Sequence, residues 1–333
     1  MTARLVNPGL VADIGGTNAR FGLTDLARPG AEILYPRSLP TADYASLQHA
    51  AQAYLAEIDQ RPHCAALALA SPVQGDEVRL TNRAWSFSQA ELRAVLGLDF
   101  LRVLNDFGAV AAAVPHLSQP DRNTLHGDSQ GGLQGPVSVL GPGTGLGVAL
   151  LVGSDDHWQV VETEGGHVSF APLGEEELCI DRWISARFGR TSNERLLCGQ
   201  GLSYIHAALS GEEAGRPLGK PHPLRDPADI VAAALDGHDL LARRTLARFC
   251  AVLGSVAGDT ALMHGARTVM IAGGIVPRFV PFLRSSAFRE RFLAKGRFAA
   301  YLESVAIHVI THPNPGLLGA AVTLHQICKE GMA

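Results

Sequence analysis

The feature that most constrains this chain is a short apolar run, Leu10 to Ile14, which ends in Gly15-Gly16-Thr17-Asn18. After it, Phe21 and Leu23 alternate with Arg20, Gly22 and Thr24. Alternation with a period of two is a strand pattern, so the segment reads as strand, tight turn, strand. A P-loop and a dinucleotide-binding turn each need a helix directly after their glycines, and both are therefore set aside. The shape recurs where Val137 to Leu140 leads through Gly141-Pro142-Gly143-Thr144-Gly145-Leu146-Gly147 into Val148 to Val152. Two such hairpins predict two related half-domains. A third glycine turn, Gly273-Gly274, ends the apolar strand Thr268 to Ala272 and precedes a helix.

Helical periodicity covers Tyr44 to Ile58, Phe107 to Val114, Pro227 to Ala257, Phe288 to Leu302 and Leu317 to Cys328. Strands alternating with helices place the chain in the α/β class. Its 333 residues exceed the length at which one core usually stops growing, so two domains, or one large domain split by a cleft, are expected. The stretch Gly211 to Pro227, dense in Gly, Pro and charge, reads as a surface loop. With 47% hydrophobic and 18% charged residues the chain is globular, and a net charge of −4 gives no reason to expect nucleic acid or an anionic membrane as partner. A small molecule is the better expectation. The five cysteines are scattered and never form Cys-x-x-Cys, so neither a disulfide framework nor a zinc cluster is indicated. No run of about 18 apolar residues and no leader-like N-terminus occurs, and the expected location is the cytoplasm.

Several polar residues stand where chemistry is possible. Asp13 is followed by glycines whose backbone N–H groups can approach a phosphate closely. Mg²⁺ held through water by Asp13, with hydrogen bonds from Thr17 and Asn18, would suit a phosphate there; an ordinary hairpin with Asp as turn former is the alternative. The second turn, at Gly143-Thr144-Gly145, favours the phosphate reading. Asn105-Asp106 stands where the strand Leu101 to Leu104 meets a helix. An N-cap needs such residues, yet this is also where ligand sites of open α/β sheets lie. Glu164-Gly165-Gly166-His167 follows a strand, Gln159 to Thr163, and its acid and imidazole can serve one ligand or each other. Glu194 is either a ligand or a helix-start residue facing Arg195. Asn82 and Trp85 offer a sugar a polar edge and an apolar face, although a core position is the simpler account of the tryptophan.

Taken in order, DIGGTNARFGL (13–23), LTNRAWSFS (80–88), LNDFGAVAAAVP (104–115), GPGTGLGVALLV (141–152), EGGHVSFAP (164–172), ERLLCGQGL (194–202), AGGIVPRF (272–279) and NPGLLGA (314–320) resemble the bacterial glucokinase family. The resemblance implies a two-domain actin-like ATPase (ribonuclease H-like) fold with an interdomain cleft. It implies a small domain of residues 1–116 plus 308–333, a large one of 117–307, and a homodimer. It further implies transfer of phosphate from ATP, with Mg²⁺, to glucose, Asp106 acting as catalytic base. Asn105, Glu164, His167 and Glu194 resemble the family's sugar ligands, with Asn82 a further sugar contact. Asp13 to Arg20, including Gly15, Gly16, Thr17 and Asn18, resembles the first phosphate loop. Gly143, Thr144 and Gly145 fall in the second, and Gly273-Gly274 in the turn beside the adenosine. The related ROK kinases and repressors hold zinc with a cysteine-rich motif that this chain lacks, so His167 is expected on sugar without a metal. A kinase for another hexose and a regulator that binds sugar and nucleotide without turnover are the alternatives.

Overall fold

The computed structural model describes residues 5–71, 75–80, 85–128, 131–154, 157–213 and 224–331. The chain divides into two compact units: residues 1–117, 158–162 and 312–333 form the first, and 118–157 with 163–311 the second.

The first unit runs β1 (Pro8–Ile14), β2 (Asn18–Asp25), β3 (Leu34–Pro40), α1 (Leu47–Ile58), β4 (Cys64–Leu69), β5 (Glu77–Arg79), β6 (Ser86–Ser88), α2 (Gln89–Leu96), β7 (Phe100–Asn105) and α3 (Asp106–Ala113). The chain then enters the second unit with β8 (Arg122–His126), β9 (Val137–Pro142) and β10 (Leu146–Ser154). Strand β11 (His157–Thr163) follows, its residues 158–162 counting with the first unit. Next come α4 (Gly174–Phe188), α5 (Asn193–Leu196), α6 (Gly199–Glu213), α7 (Pro227–Asp236), α8 (Leu240–His264), β12 (Thr268–Ile271), α9 (Val280–Ser285), α10 (Phe288–Leu293), α11 (Ala299–Glu303) and β13 (Ala306–Ile310). Helix α12 (Pro315–Lys329) returns to the first unit. Strand β13 pairs with β12 and β8, and the segment from His312 counts with the first unit.

Both hairpins form as the alternation requires. In the first sheet, ordered β3-β2-β1-β4-β7, β2 is antiparallel to β1, and β4 and β7 continue in parallel. The second unit repeats the pattern as β10-β9-β12-β13, with β10 antiparallel to β9, the next two strands parallel, and β8 added antiparallel at the edge. Strands β1 and β4 are apolar almost throughout, as a parallel sheet covered on both faces demands.

Two expected helices are broken. The run from Pro227 stops at Gly237, whose φ of 85° ends α7 in a left-handed cap, and Asp239 then caps α8 by accepting from Ala242 N–H. The run from Phe288 stops at Leu293 and resumes only at Ala299, after Gly296 at φ 56°. In the Gly211 to Pro227 stretch, α6 continues to Glu213 and residues 214–223 lie outside those described. Helix α8 is the one described helix long and apolar enough to cross a membrane, but 67% of its most apolar window is buried in the protein. It is the spine of the second unit's core, through Leu246, Phe249, Leu253 and Ala257.

Candidate active site

In the first unit, the turn after β1 is closed by Gly15 N–H donating to Asn18 O at 3.0 Å. Thr17 O and Gly16 O accept from the Thr41 N–H and hydroxyl, at 3.0 and 3.1 Å, so the turn is held from outside. Asp13 and Arg20 face each other in the antiparallel register, which brings the guanidinium to 3.4 Å from the carboxylate. Burial pushes the Asp13 pKa up from its ordinary value, and Arg20 works against that shift. The carboxylate also lies against the first turn of α12, where a Cβ on Gly316 would stand 3.0 Å from Asp13 Cγ. Asp13 thus has a cation already at hand in Arg20.

At the end of β7, Asn105 is the N-cap of α3, its Oδ1 accepting from Phe107 N–H at 2.9 Å and Gly108 N–H at 3.2 Å. The capping role and a ligand role are compatible, because capping occupies only the oxygen end of the carboxamide. Asp106 is the first residue of the helix, and Oδ1 accepts from Phe107 N–H at 2.8 Å. A helix N-terminus favours the ionised carboxylate. Glu162, which the sequence did not single out, accepts from Asn105 N–H at 3.3 Å and fills the space a side chain at Gly108 would need. The small residue in the first turn of α3 was the only signal for it.

In the second unit the glycine turns converge. A Cβ on Gly141 would stand 2.6 Å from the Ala272 carbonyl carbon, so the end of β9 lies directly on the turn after β12, and Gly273 takes φ 90°. Gly143 N–H donates to Gly145 O at 2.8 Å, and Gly143 O accepts from Gly199 N–H at the start of α6 at 2.9 Å. The Gly165-Gly166 pair lies against Val148 and the Leu146 carbonyl of β10, leaving no room for side chains. This fixes the 164–167 turn on the hairpin. A bridge between Ser169 and Ser192, with Asn193 N–H donating to Val168 O at 2.9 Å, then delivers Glu194 to the same place. His167 stands between two acids, with Nε2 3.8 Å from Glu164 Oε2 and Nδ1 3.8 Å from Glu194 Oε1. Arg190, also missed by sequence reasoning, donates to His167 O.

The half-exposed state of Glu164 and His167 leaves these groups open to a ligand. Trp85 is a core residue, 7% exposed, with its indole N–H donated to Tyr44 O. Asn82 lies outside the described residues. Among those described, no group of three or more His, Cys, Asp and Glu side chains is arranged to hold a metal ion.

A glycine-closed hairpin running into parallel strands, once in each unit, defines the class as a two-domain actin-like ATPase fold. The Glucokinase family model matches residues 10–327. A glucokinase of Hahella chejuensis is 43% identical over 317 residues, 95% of this chain and 96% of its own. One of Chromohalobacter salexigens is 44% identical over 327 residues, 96% of this chain and 98% of its own. The crystal structure of a glucokinase from an Antarctic psychrotroph superposes with a TM-score of 0.81 at 36% identity, covering 96% of this chain and 99% of that one. This chain belongs to the glucokinase family.

Proposed function

We propose that this protein transfers the γ-phosphoryl group of MgATP to the 6-hydroxyl of D-glucose, releasing ADP. The observation that carries the reading is the gathering of Glu164, His167 and Glu194 on a glycine hairpin that itself packs on Gly273. Polar groups suited to sugar hydroxyls stand beside turns suited to phosphates, within a family of sugar kinases.

The roles follow from the chemistry of each group. Glu164, His167 and Glu194 hydrogen-bond the sugar hydroxyls, as does the Asn105 carboxamide, with Asn82 as a further contact. Asp106 accepts the 6-hydroxyl proton while the O6–Pγ bond forms and the bond from Pγ to the β,γ-bridging oxygen breaks; the proton then passes to water. The Phe107 N–H holds the Asp106 carboxylate at the start of α3, which suits a loose transition state in which orientation matters more than base strength. The backbone donors of Gly15, Gly16 and Gly143 to Gly145, with Thr17, Asn18, Arg20 and Thr144, bind phosphate oxygens, and Gly273-Gly274 flanks the adenosine. Asp13, paired with Arg20, would help hold the Mg²⁺ that accompanies ATP, which would supply positive charge against the phosphoryl oxygens. A cytoplasmic homodimer, with no nucleic acid or membrane partner, completes the proposal.

Release of ADP by the purified protein, followed by a coupled assay with glucose, mannose and fructose in turn, tests it. Turnover highest with glucose supports the reading. A different ranking makes it another hexose kinase, and binding without turnover makes it a regulator.

A further inference from the structure

The two oxygens of the Glu194 carboxylate face different partners. Oε1 lies 3.8 Å from His167 Nδ1, on the side read above as the sugar's. Oε2 accepts from Leu146 N–H at 3.0 Å and occupies the space that a Cβ on residue 145 would need. Leu146 is the first residue of β10, directly after the Gly143 to Gly145 turn, so one oxygen closes the turn read as the nucleotide's. The side chain is 30% exposed, and backbone pairing at Ser192 and Asn193 fixes where its α5 begins. Glu194 therefore has little freedom to satisfy one end without consequence for the other.

We propose that Glu194 is a positioning residue for the Gly143–Leu146 turn as well as a sugar ligand, and that it couples sugar binding to nucleotide binding. The inference rests on the reading of Glu164, His167 and Glu194 as sugar ligands. A carboxylate is planar, so a hydroxyl that settles on Oε1 also fixes the direction in which Oε2 meets Leu146 N–H. The turn is thereby held in one conformation before the nucleotide arrives, and the nucleotide no longer loses affinity to ordering it. Linkage requires the reverse effect to be equal: a bound nucleotide tightens the sugar by the same factor. Gly145 is glycine because any side chain there would push the carboxylate off the turn.

Calorimetric titration of ADP with and without saturating glucose, and of glucose alone, tests the proposal. The wild-type protein should bind ADP about tenfold tighter in the presence of glucose, the scale of one hydrogen bond to a charged group. Glu194→Gln, whose amide oxygen can still accept from Leu146 N–H, should keep most of that factor while binding glucose more weakly. Glu194→Ala should lose the factor entirely. Gly145→Ala, at a position that is no sugar ligand, should weaken glucose binding several-fold with no nucleotide present. An Ala variant at 194 that binds glucose weakly yet keeps the full wild-type factor would overturn the coupling. So would unchanged glucose affinity in Gly145→Ala. Unchanged glucose affinity in Glu194→Ala would overturn both the coupling and the sugar assignment beneath it, which separates the two failures.

Discussion

At the scale of single residues, the candidate groups carry structural duties beside the chemical ones proposed for them. Asn105 caps a helix with one end of its amide, Asp106 opens that helix, and Glu194 closes a turn. With Asp106 as the proposed proton acceptor, Asp106→Ala should lose about a hundredfold or more in kcat while glucose binding survives. Steady-state kinetics beside glucose calorimetry decides it; near-normal turnover removes Asp106 from the mechanism. With Glu164 and His167 as the proposed sugar ligands, Glu164→Gln and His167→Ala should raise KM for glucose by about tenfold and leave KM for ATP nearly unchanged. Asp13 differs in kind. Burial raises its pKa, so its contribution to stability is present below the ordinary value and is lost as pH rises through the folded one. Ionised Asp13 is then a cost at neutral pH, which Arg20, 41% exposed, offsets only in part. Asp13→Asn should raise the thermal midpoint at pH 7 while impairing catalysis, and the gain should fade below pH 4. A lower midpoint at pH 7 would contradict the sign.

At the scale of elements, close backbone approach places the functional side chains. Helix α12 crosses α3 so tightly that a Cβ on Gly319 would overlap the Ala109 carbonyl oxygen. No flexible side chain can yield there, so Gly319→Ala should force the helices apart, cost about 1–3 kcal/mol in chemical unfolding and move Asp106. An unchanged unfolding midpoint would show that the helices tolerate the shift. In the second unit, helix α4 is anchored by the fully buried Glu177. Its oxygens accept from Arg291 at 2.6 and 3.1 Å, from Arg248 at 2.9 Å and from Leu173 N–H at 2.8 Å. Burial alone would raise its pKa, but the Arg291 hydrogen bond, the Leu173 N–H and Arg248 together hold it below the ordinary value. Every lone pair there has a donor, which is what lets a charge sit in a core.

For the whole molecule, the buried histidines lean the same way, opposite to Asp13. His308 is held down to about 4 by burial and by Arg122; burial also lowers His264 and His325. A histidine depressed in the folded state binds its proton mainly after unfolding, so each contributes stability that is lost as pH falls from its ordinary 6.5 toward the folded value. The lowered Glu177 acts in the same direction at more acid pH. Thermal midpoints should therefore fall steadily below pH 6.5, with His308 alone contributing about 1.4 kcal/mol per pH unit. His308→Asn should flatten that fall, and a parallel curve would remove His308 as a cause. Local order accounts for what could be read in advance: the hairpins at Gly15 and Gly143, the strand ahead of Gly273 and the cap at Asn105 depend on neighbours a few residues apart, and alternation and turn chemistry write those into the chain directly. The breaks after Asp236 and Leu293 were less legible, because apolar spacing continues across them while the hydrogen-bond ladder ends, at Gly237 in a left-handed cap and at Ala294 in an irregular one. Motif order likewise singled out Asp13, Asp106, Glu164, His167 and Glu194 as candidates, since each lies in a segment that keeps its pattern. Glu162 behind Gly108, Gly316 under the Asp13 carboxylate and Glu194 on Leu146 join residues from 48 to 303 positions apart. Such partners meet only when sheets and helices pack, because close contact is set by the distance between backbones and carries no local sequence period.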